Sequence, residues 1–484
     1  MKARMFTAEN RRWWTLAAVS FGLFMIMLDN TVVNVALPSI QDDLHISTSE
    51  LEWVVNAYAL TFGVLLLTGG KLADLLGRRA IFIAGLIVFT AASLWCGLAG
   101  GAASLIAART LQGVGAAMMN PATLSIITAT FPRRQRGTAI GIWAGVSALA
   151  LAIGPLLGGL LTEKISWSWI FFINIPVGIA GVLAARVFID ESKDMSREQR
   201  LDLPGLVTSA VGLFALTYGL IETNTYPWGS TRVLTLFAVA AVALSLFVVL
   251  ELRQRIPMLD LSLFRDPTFS GANATMGLVG LAMFGVFFYN SLFLQNVLHY
   301  SAIETGATFL PMTVLIILVA PVAGRATDRI GPRWLVASGM TLLTGSLLLF
   351  GTLDASSSFW NILPGLLVGG FGMAITMAPT TSAAMGSVPV DKAGVGSAVI
   401  NSMRQVGGSL GIAVMGTLVA TRVSVAPFDP RFAAQFVDGY HRALHAGAAI
   451  LFAGVIVSVL TVRKARDVET PVVIESVHAV EEAA

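Results

Sequence analysis

The stretch GKLADLLGRR, Gly70 to Arg79, returns later in the chain as GRATDRIGPR, Gly324 to Arg333, with Gly, Asp, Gly and Arg kept at the same four places. The offset is 324 minus 70, or 254. Two more pairs keep nearly that distance. LQGVGAAMMNPAT (Leu111 to Thr123) matches VGGFGMAITMAPT (Val368 to Thr380) through Gly113 with Gly370 and Gly115 with Gly372. PRRQRG, ending at Gly137, matches PVDKAG, ending at Gly394, and both of these pairs stand 257 apart. Three motifs in one register mark a tandem duplication of a large unit.

Composition says what kind of unit is repeated. Of 484 residues, 55% are hydrophobic and only 12% charged, with a mean hydropathy of +0.77; a soluble domain carries about 25% charged residues. The chain therefore reads as an all-α polytopic membrane protein. Apolar runs long enough to cross a hydrocarbon core of about 30 Å fall at 13–37, 51–70, 80–98, 104–130, 138–161, 168–189, 204–222, 232–252, 268–297, 305–324, 334–352, 359–381, 394–420 and 443–462, which makes fourteen predicted helices. Runs of this length are helices, because barrel strands alternate apolar and polar residues. The repeat offset covers eight of them, so the predicted order is a six-helix unit (1–190), two inserted helices in a linker (191–267), a second six-helix unit (268–465) and a tail (466–484).

With the amino terminus inside, 24 of the 31 Lys and Arg fall in inner segments and 5 in outer ones. That bias predicts both termini in the cytoplasm of a cell-membrane protein. The formal net charge of +3 thus hides a basic inner face, and no nucleic-acid partner is implied. The first helix reads as retained rather than cleaved. Cys96 is the only cysteine, so no intramolecular disulfide can form. His441 and His445 have the spacing of a metal pair but no third ligand nearby; His441 is expected in the longest outer loop, 421–442. No metal and no cofactor are expected.

LDNTVVNVALP in helix 1, GKLADLLGRR after helix 2, ARTLQGVGAA in helix 4, GPLLGG in helix 5 and WSWIFFINIPVG into helix 6 stand in order along the first unit. In these motifs the chain resembles the major facilitator superfamily, and within it the fourteen-helix drug:proton antiporter branch of the EmrB/QacA type. The resemblance implies two six-helix bundles rocking about a central site.

Two charges lie inside predicted helices of the first unit. Asp29 is about eight residues below the outer end of helix 1, roughly 12 Å deep, and Arg109 about five residues into helix 4, roughly 8 Å deep. Neither has an equivalent in the second unit, where an offset of 257 reaches Val286 and Leu366. Intramembrane acids are rare and usually functional. Burial raises a carboxylate's pKa and a nearby cation lowers it, so alternating surroundings can load and release a proton. Asp29 is the expected proton carrier and Arg109 its coupling partner; hydrogen bonding within the bundle competes as a purely structural role for each.

The resemblance assigns Gly70, Asp74, Gly77, Arg78 and Arg79 to a conformational latch, with the Asp at the start of a second-unit helix near Gly394, where a helix dipole favours a carboxylate; anchoring in headgroups would explain the two arginines alone. It assigns Gly154, Pro155, Gly158 and Gly159 to an antiporter motif that seals the cavity, against ordinary small-residue packing. Arg404 is a candidate gate or anion contact, with structural hydrogen bonding as its alternative. Asn34, Tyr58, Gln112, Asn120, Asn290 and Gln295 are candidate cavity residues. The expected function is proton-driven export of amphipathic small molecules, with protons, substrate and the lipid bilayer as partners. A lipid or metabolite exporter and proton-linked uptake are the nearest rivals, and a membrane enzyme acting on lipid-linked substrates is the different class.

Overall fold

A computed structural model describes residues 8–463 apart from 194–201, 224, 255–256, 424, 426–428 and 430. The tail at 466–484 and part of the linker at 191–267 lie outside the described residues. The first unit is built from α1 (Ala8–Leu44), α2 (Thr48–Leu76), α3 (Arg78–Gly97), α4 (Ala102–Thr130), α5 (Arg133–Lys164), the single turn α6 (Trp169–Phe172) and α7 (Asn174–Phe188). The inserted pair is α8 (Leu203–Glu222) and α9 (Thr231–Arg253). The second unit holds α10 (Pro267–Asn296), α11 (Ala302–Thr308), α12 (Leu310–Ile330), α13 (Arg333–Phe350), α14 (Phe359–Gly386), α15 (Ala393–Ala420) and α16 (Phe432–Thr461).

Eleven helical spans are long and apolar enough to cross a membrane among the described residues. The remaining long helices, α4, α5 and α15, have 29, 32 and 28 residues and are richer in Gly, Ala and polar groups. Each predicted run falls on helix, with three departures. The sixth breaks at Ile173 into α6 and α7, and the tenth at Phe309 into α11 and α12. The last helix begins at Phe432 rather than 443, so half of the expected outer loop 421–442 is helical and His441 sits on α16. Phe432, Phe436, Tyr440 and Leu444 recur at helical spacing and are buried, which extends the helix past the point where hydropathy alone ends it.

Sequence sets many of the ends. Ser47 with Glu50 and Ser301 with Glu304 form capping boxes at α2 and α11, while Asp266 caps α10 ahead of Pro267. Gly77 and Gly331, equivalent in the repeat, turn the chain between α2 and α3 and between α12 and α13 with φ of 113° and 89°. Side chains rarely tolerate that backbone region, which accounts for a glycine in both copies.

α1 packs on α5 and α7, and α4 on α2 and α3; in the second unit α10 packs on α15 and α16, and α14 on α12 and α13. The two units meet along two seams, α2 against α15 and α5 against α12. The face holding the start of α1 and the end of α16 is called the terminal face below. The α8–α9 hairpin lies across the α2–α15 seam and is tied at both ends. Trp228 Nε1 donates to Thr417 Oγ1 of α15 at 2.5 Å, and the rings of Tyr218 and Trp53 of α2 lie 5.6 Å apart. At the terminal face, Lys392 and Asp260 pair at 2.8 Å. Burial pushes Asp260 up, but hydrogen bonds from Lys392 and Ser262 outweigh it and hold the carboxyl at about 2.

Candidate functional site: a buried ion pair and two helix-start latches

Asp29 and Arg109 meet directly inside the first unit. Arg109 Nη1 donates to Asp29 Oδ2 at 2.6 Å, and the two side chains are 2% and 0% exposed. Gln112, one turn along α4, donates from Nε2 to the other carboxylate oxygen at 2.8 Å and accepts from Arg109 Nη1 at 2.7 Å. Arg109 Nε donates to the Val54 carbonyl of α2 at 3.1 Å, and its guanidinium lies 4.3 Å from the centre of the Tyr58 ring, a cation–π distance. Ser93 Oγ accepts from Gln112 at 3.3 Å and from Asn174 Nδ2 at 2.9 Å, carrying the network into α3 and α7.

Small residues on α4 make this reach possible. A Cβ at Gly113 would lie 2.8 Å from the Tyr58 carbonyl oxygen, and one at Gly115 would lie 2.6 Å from the Phe89 nitrogen; α2 and α3 therefore approach α4 at backbone distance. Replacing a buried pair by apolar groups is often neutral, whereas removing one partner typically costs about 3–5 kcal/mol. A change of charge on Asp29 thus has a large effect on what Arg109 can hold.

Two carboxylates lock the terminal face. Asp74 accepts from the backbone nitrogens of Gly394 and Val395, at the start of α15, at 2.9 and 3.0 Å. Arg78 donates to Asp74 from Nη2 at 2.9 Å and from Nη2 to the carbonyl of Val390. Gly70 and Gly394 let the helices touch: a Cβ on Gly70 would stand 2.5 Å from the Gly394 oxygen, and one on Gly394 2.4 Å from that of Gly70. The second copy repeats the construction on the other seam. Asp328 accepts from Gly137 and Thr138 nitrogens at 2.9 and 3.1 Å, near the start of α5, and a Cβ on Gly324 would lie 2.0 Å from the Gly137 oxygen. In place of Arg78 the second copy has Pro332. Arg79 points elsewhere, its Nη1 donating to the Ile189 carbonyl at 3.2 Å.

The GPLLGG segment presses on α1 just beyond Asp29. A Cβ on Gly154 would meet Thr31 Oγ1 at 1.8 Å and one on Gly158 the Val32 oxygen at 3.0 Å, while Gly159 faces Ile303 of α11 at 3.6 Å; Pro155 lies in α5. Arg404 is 8% exposed and lines a narrow, partly open gap between the units, with room for about one water, beside Leu124, Trp143, Met276, Met377 and Ile400. Asn290 lines a different, partly open gap within the second unit and accepts a hydrogen bond from Tyr440. Asn34 and Gln295 are exposed, bonded to the Asn30 carbonyl and Ser291 Oγ at 3.0 Å each. Asn120 is fully buried with its amide unpartnered. Tyr58 and Gln112, expected along a cavity, instead belong to the Asp29–Arg109 network. Ser93, Asn174 and Asp328 were not singled out; the 254 offset carried a signal for Asp328, and none pointed to the other two.

The profile of the Major Facilitator Superfamily matches residues 19–412. The chain is 38% identical over 420 residues to the tetracenomycin C resistance and export protein of Streptomyces glaucescens, covering 86% of this chain and 77% of that one. It is 37% identical over 430 residues to the multidrug resistance protein Stp of Mycobacterium tuberculosis, covering 88% and 79%. Among solved structures, the human organic anion transporter MFSD10 superposes with a TM-score of 0.65 over 92% of this chain and 99% of that one, at 14% identity. That likeness is one of fold alone.

Proposed function

Because the chain belongs to the Major Facilitator Superfamily, a family of membrane transporters for small molecules, we propose that it is a proton-coupled antiporter that exports amphipathic compounds by alternating access. Similarity to antibiotic and multidrug exporters supports export over uptake. The ordered motifs assign it to the fourteen-helix branch, with α4, α5 and α15 crossing the bilayer beside the eleven apolar spans. The charge bias makes the terminal face cytoplasmic. With both latches closed on that face, the structure is a form shut toward the cytoplasm.

One observation carries the coupling: a single carboxylate, Asp29, held between Arg109 and Gln112 in a buried pocket. In this form Arg109 and Gln112 donate to the two carboxylate oxygens of Asp29. Proton arrival from outside neutralises Asp29 and leaves Arg109 held by the Val54 carbonyl, Gln112 and the Tyr58 ring, a state relieved by rearrangement of α1 against α4. Movement of α1 is transmitted to α5 through the Thr31–Gly154 contact. Opening of the latches then exposes Asp29 to the cytoplasm, where the proton leaves and the Arg109 pair re-forms. One proton moving through 100 mV releases about 2.3 kcal/mol, and each pH unit adds about 1.4 kcal/mol, enough for a ten- to hundredfold gradient of a neutral substrate.

Ethidium efflux from energised vesicles tests this. Asp29→Asn is expected to abolish proton-driven efflux while leaving passive equilibration of the dye. Unchanged driven efflux in that variant would remove Asp29 from the mechanism.

A further inference from the structure

The inserted hairpin brings two buried carboxyl groups together at the terminal face. Asp202 stands at the start of α8 and Glu251 near the end of α9, and they are 6% and 4% exposed. One oxygen of each is held by donors. Asp202 Oδ1 accepts from the Gly205 nitrogen at 2.8 Å and from Gln254 Nε2 at 2.9 Å, and Glu251 Oε2 accepts from the Leu259 nitrogen at 2.9 Å. The other two oxygens, Asp202 Oδ2 and Glu251 Oε1, are buried and receive no donor among the described residues. They crowd one point: a Cβ on Gly205 would lie 2.2 Å from the first and 2.4 Å from the second. The two side chains are within hydrogen-bond reach of each other, yet neither carboxylate has a hydrogen to give.

Two carboxyl groups sharing one site do not both ionise readily; one of them keeps its proton. The neighbours decide which. Burial pushes Asp202 up, but hydrogen bonds from the Gly205 nitrogen and Gln254 outweigh it and hold the carboxyl below its ordinary 3.8. Asp202 is therefore the ionised member, and the proton sits on Glu251 Oε1 and is donated to Asp202 Oδ2. Among the described residues the cation that acts on Glu251 is Lys71 of α2, whose Nζ is turned to the Pro257 carbonyl at 3.5 Å. Arg253, two residues on, is exposed, and Asp260 is paired with Lys392.

A short segment joins this pair to the first latch. Residues 257–260 accept from Lys71 at the Pro257 carbonyl, give the Leu259 nitrogen to Glu251 and pair through Asp260 with Lys392 at 2.8 Å. Lys392 immediately precedes α15 and stands two residues before Gly394, whose nitrogen donates to Asp74. We propose that Asp202 and Glu251 form a proton-binding site separate from Asp29, whose single shared proton keeps the terminal end of the hairpin together and the 257–260 segment seated against the latch. Loss of that proton sets two like charges against each other, and the segment gives way together with its hold on Lys392. The site stands whether or not the chain is an exporter.

The test uses the purified full chain in nanodiscs, with Asp29→Asn throughout so that the carboxyl of the first unit is silent. Infrared spectra from about pH 6 to about pH 10, a range spanning the values reached by buried glutamates, read the carbonyl band of a protonated carboxylic acid. That band is expected at the acid end, fading toward the alkaline end, and adding Glu251→Gln should remove it. Asp202→Asn should move the fade to lower pH, because an amide donates to Glu251 where the carboxylate accepted from it. No such band at about pH 6 would overturn the proposal without any variant of the pair having to fold. A band unchanged by Glu251→Gln would overturn it as well, and an identical fade in Asp202→Asn would overturn the sharing. Spin labels at Leu252 and Val390, both exposed, read the segment between them. Their separation is expected to lengthen across the same pH range and, in Glu251→Gln, to stay at its acid-end value, since glutamine is neutral and can donate to Asp202. A separation that ignores pH in the parent chain would overturn the tie to the latch.

Discussion

Asp74→Asn is the substitution that most directly probes how the terminal face is held shut. The side chain keeps its shape but loses its charge. An amide offers one oxygen to the Gly394 and Val395 nitrogens, so one of those donors faces an NH2 group instead of an acceptor. Each hydrogen bond to a charged group contributes roughly 1.5–3 kcal/mol, and the carboxylate's attraction to the start of α15 disappears with the charge. Arg78, buried beside it, shares Oδ1 with the Gly394 nitrogen, so its bond there weakens to that of a neutral acceptor while those to the Val390 and Asp391 carbonyls remain. Taking the lower bound for two bonds gives about 3 kcal/mol against the closed form, which moves the open-to-closed ratio roughly 150-fold. Distances between spin labels at Arg134 and Trp334, both exposed on the terminal face, report that ratio, since the two belong to opposite units. Asp74→Asn is expected to broaden a single short distance toward a longer one. Asp328→Asn should do so less, because Asp328 is half-buried and, among the described residues, pairs with no arginine. An unchanged distribution in Asp74→Asn would refute the reasoning.

Gly154→Ala places a methyl 1.8 Å from Thr31 Oγ1, and overpacking of this kind costs about 1–3 kcal/mol; a lower melting temperature, partly restored by Thr31→Ala, is expected in thermal unfolding. The Asp260–Lys392 pair has a defined pH window. The folded carboxyl sits at about 2, below its ordinary 3.8, so its contribution is fully present above about pH 4 and fades as pH falls toward 2. Both groups are partly exposed, which limits the pair to about 1 kcal/mol or less. The melting-temperature difference between wild type and Lys392→Ala should therefore be small and the same at pH 7 and pH 5; a difference that shrinks between those values would contradict the assignment.

Much of this architecture could be read from residue order, because a bilayer demands long apolar helices and the duplicated turns need glycine at Gly77 and Gly331. The depths of Asp29 and Arg109 along their helices placed them at similar levels, and the structure joins them at 2.6 Å. What residue order withheld was azimuth. Uniformly apolar helices give almost no periodic signal, so nothing distinguished Gln112, which turns inward to the carboxylate, from Asn34, which faces out. Ser93 and Asn174 were invisible for the same reason. The early start of α16 was hidden in polar residues such as Gln435, Asp438 and Arg442, although the spacing of Phe432, Phe436 and Tyr440 announces it. Breaks at Ile173 and Phe309 fall inside apolar runs, where hydropathy does not vary.

The α8–α9 hairpin makes the molecule lopsided toward the lipid. A compound dissolved in the bilayer and drifting sideways toward the centre meets a two-helix wall along α2 and α15, fastened at Trp228 and again at Asp260. On the opposite flank, between α5 and α12, no such wall stands among the described residues beyond the short α11. There the units themselves make the barrier, α5 lying against α12 so closely that a Cβ on Gly141 would stand 2.3 Å from the Ala320 oxygen.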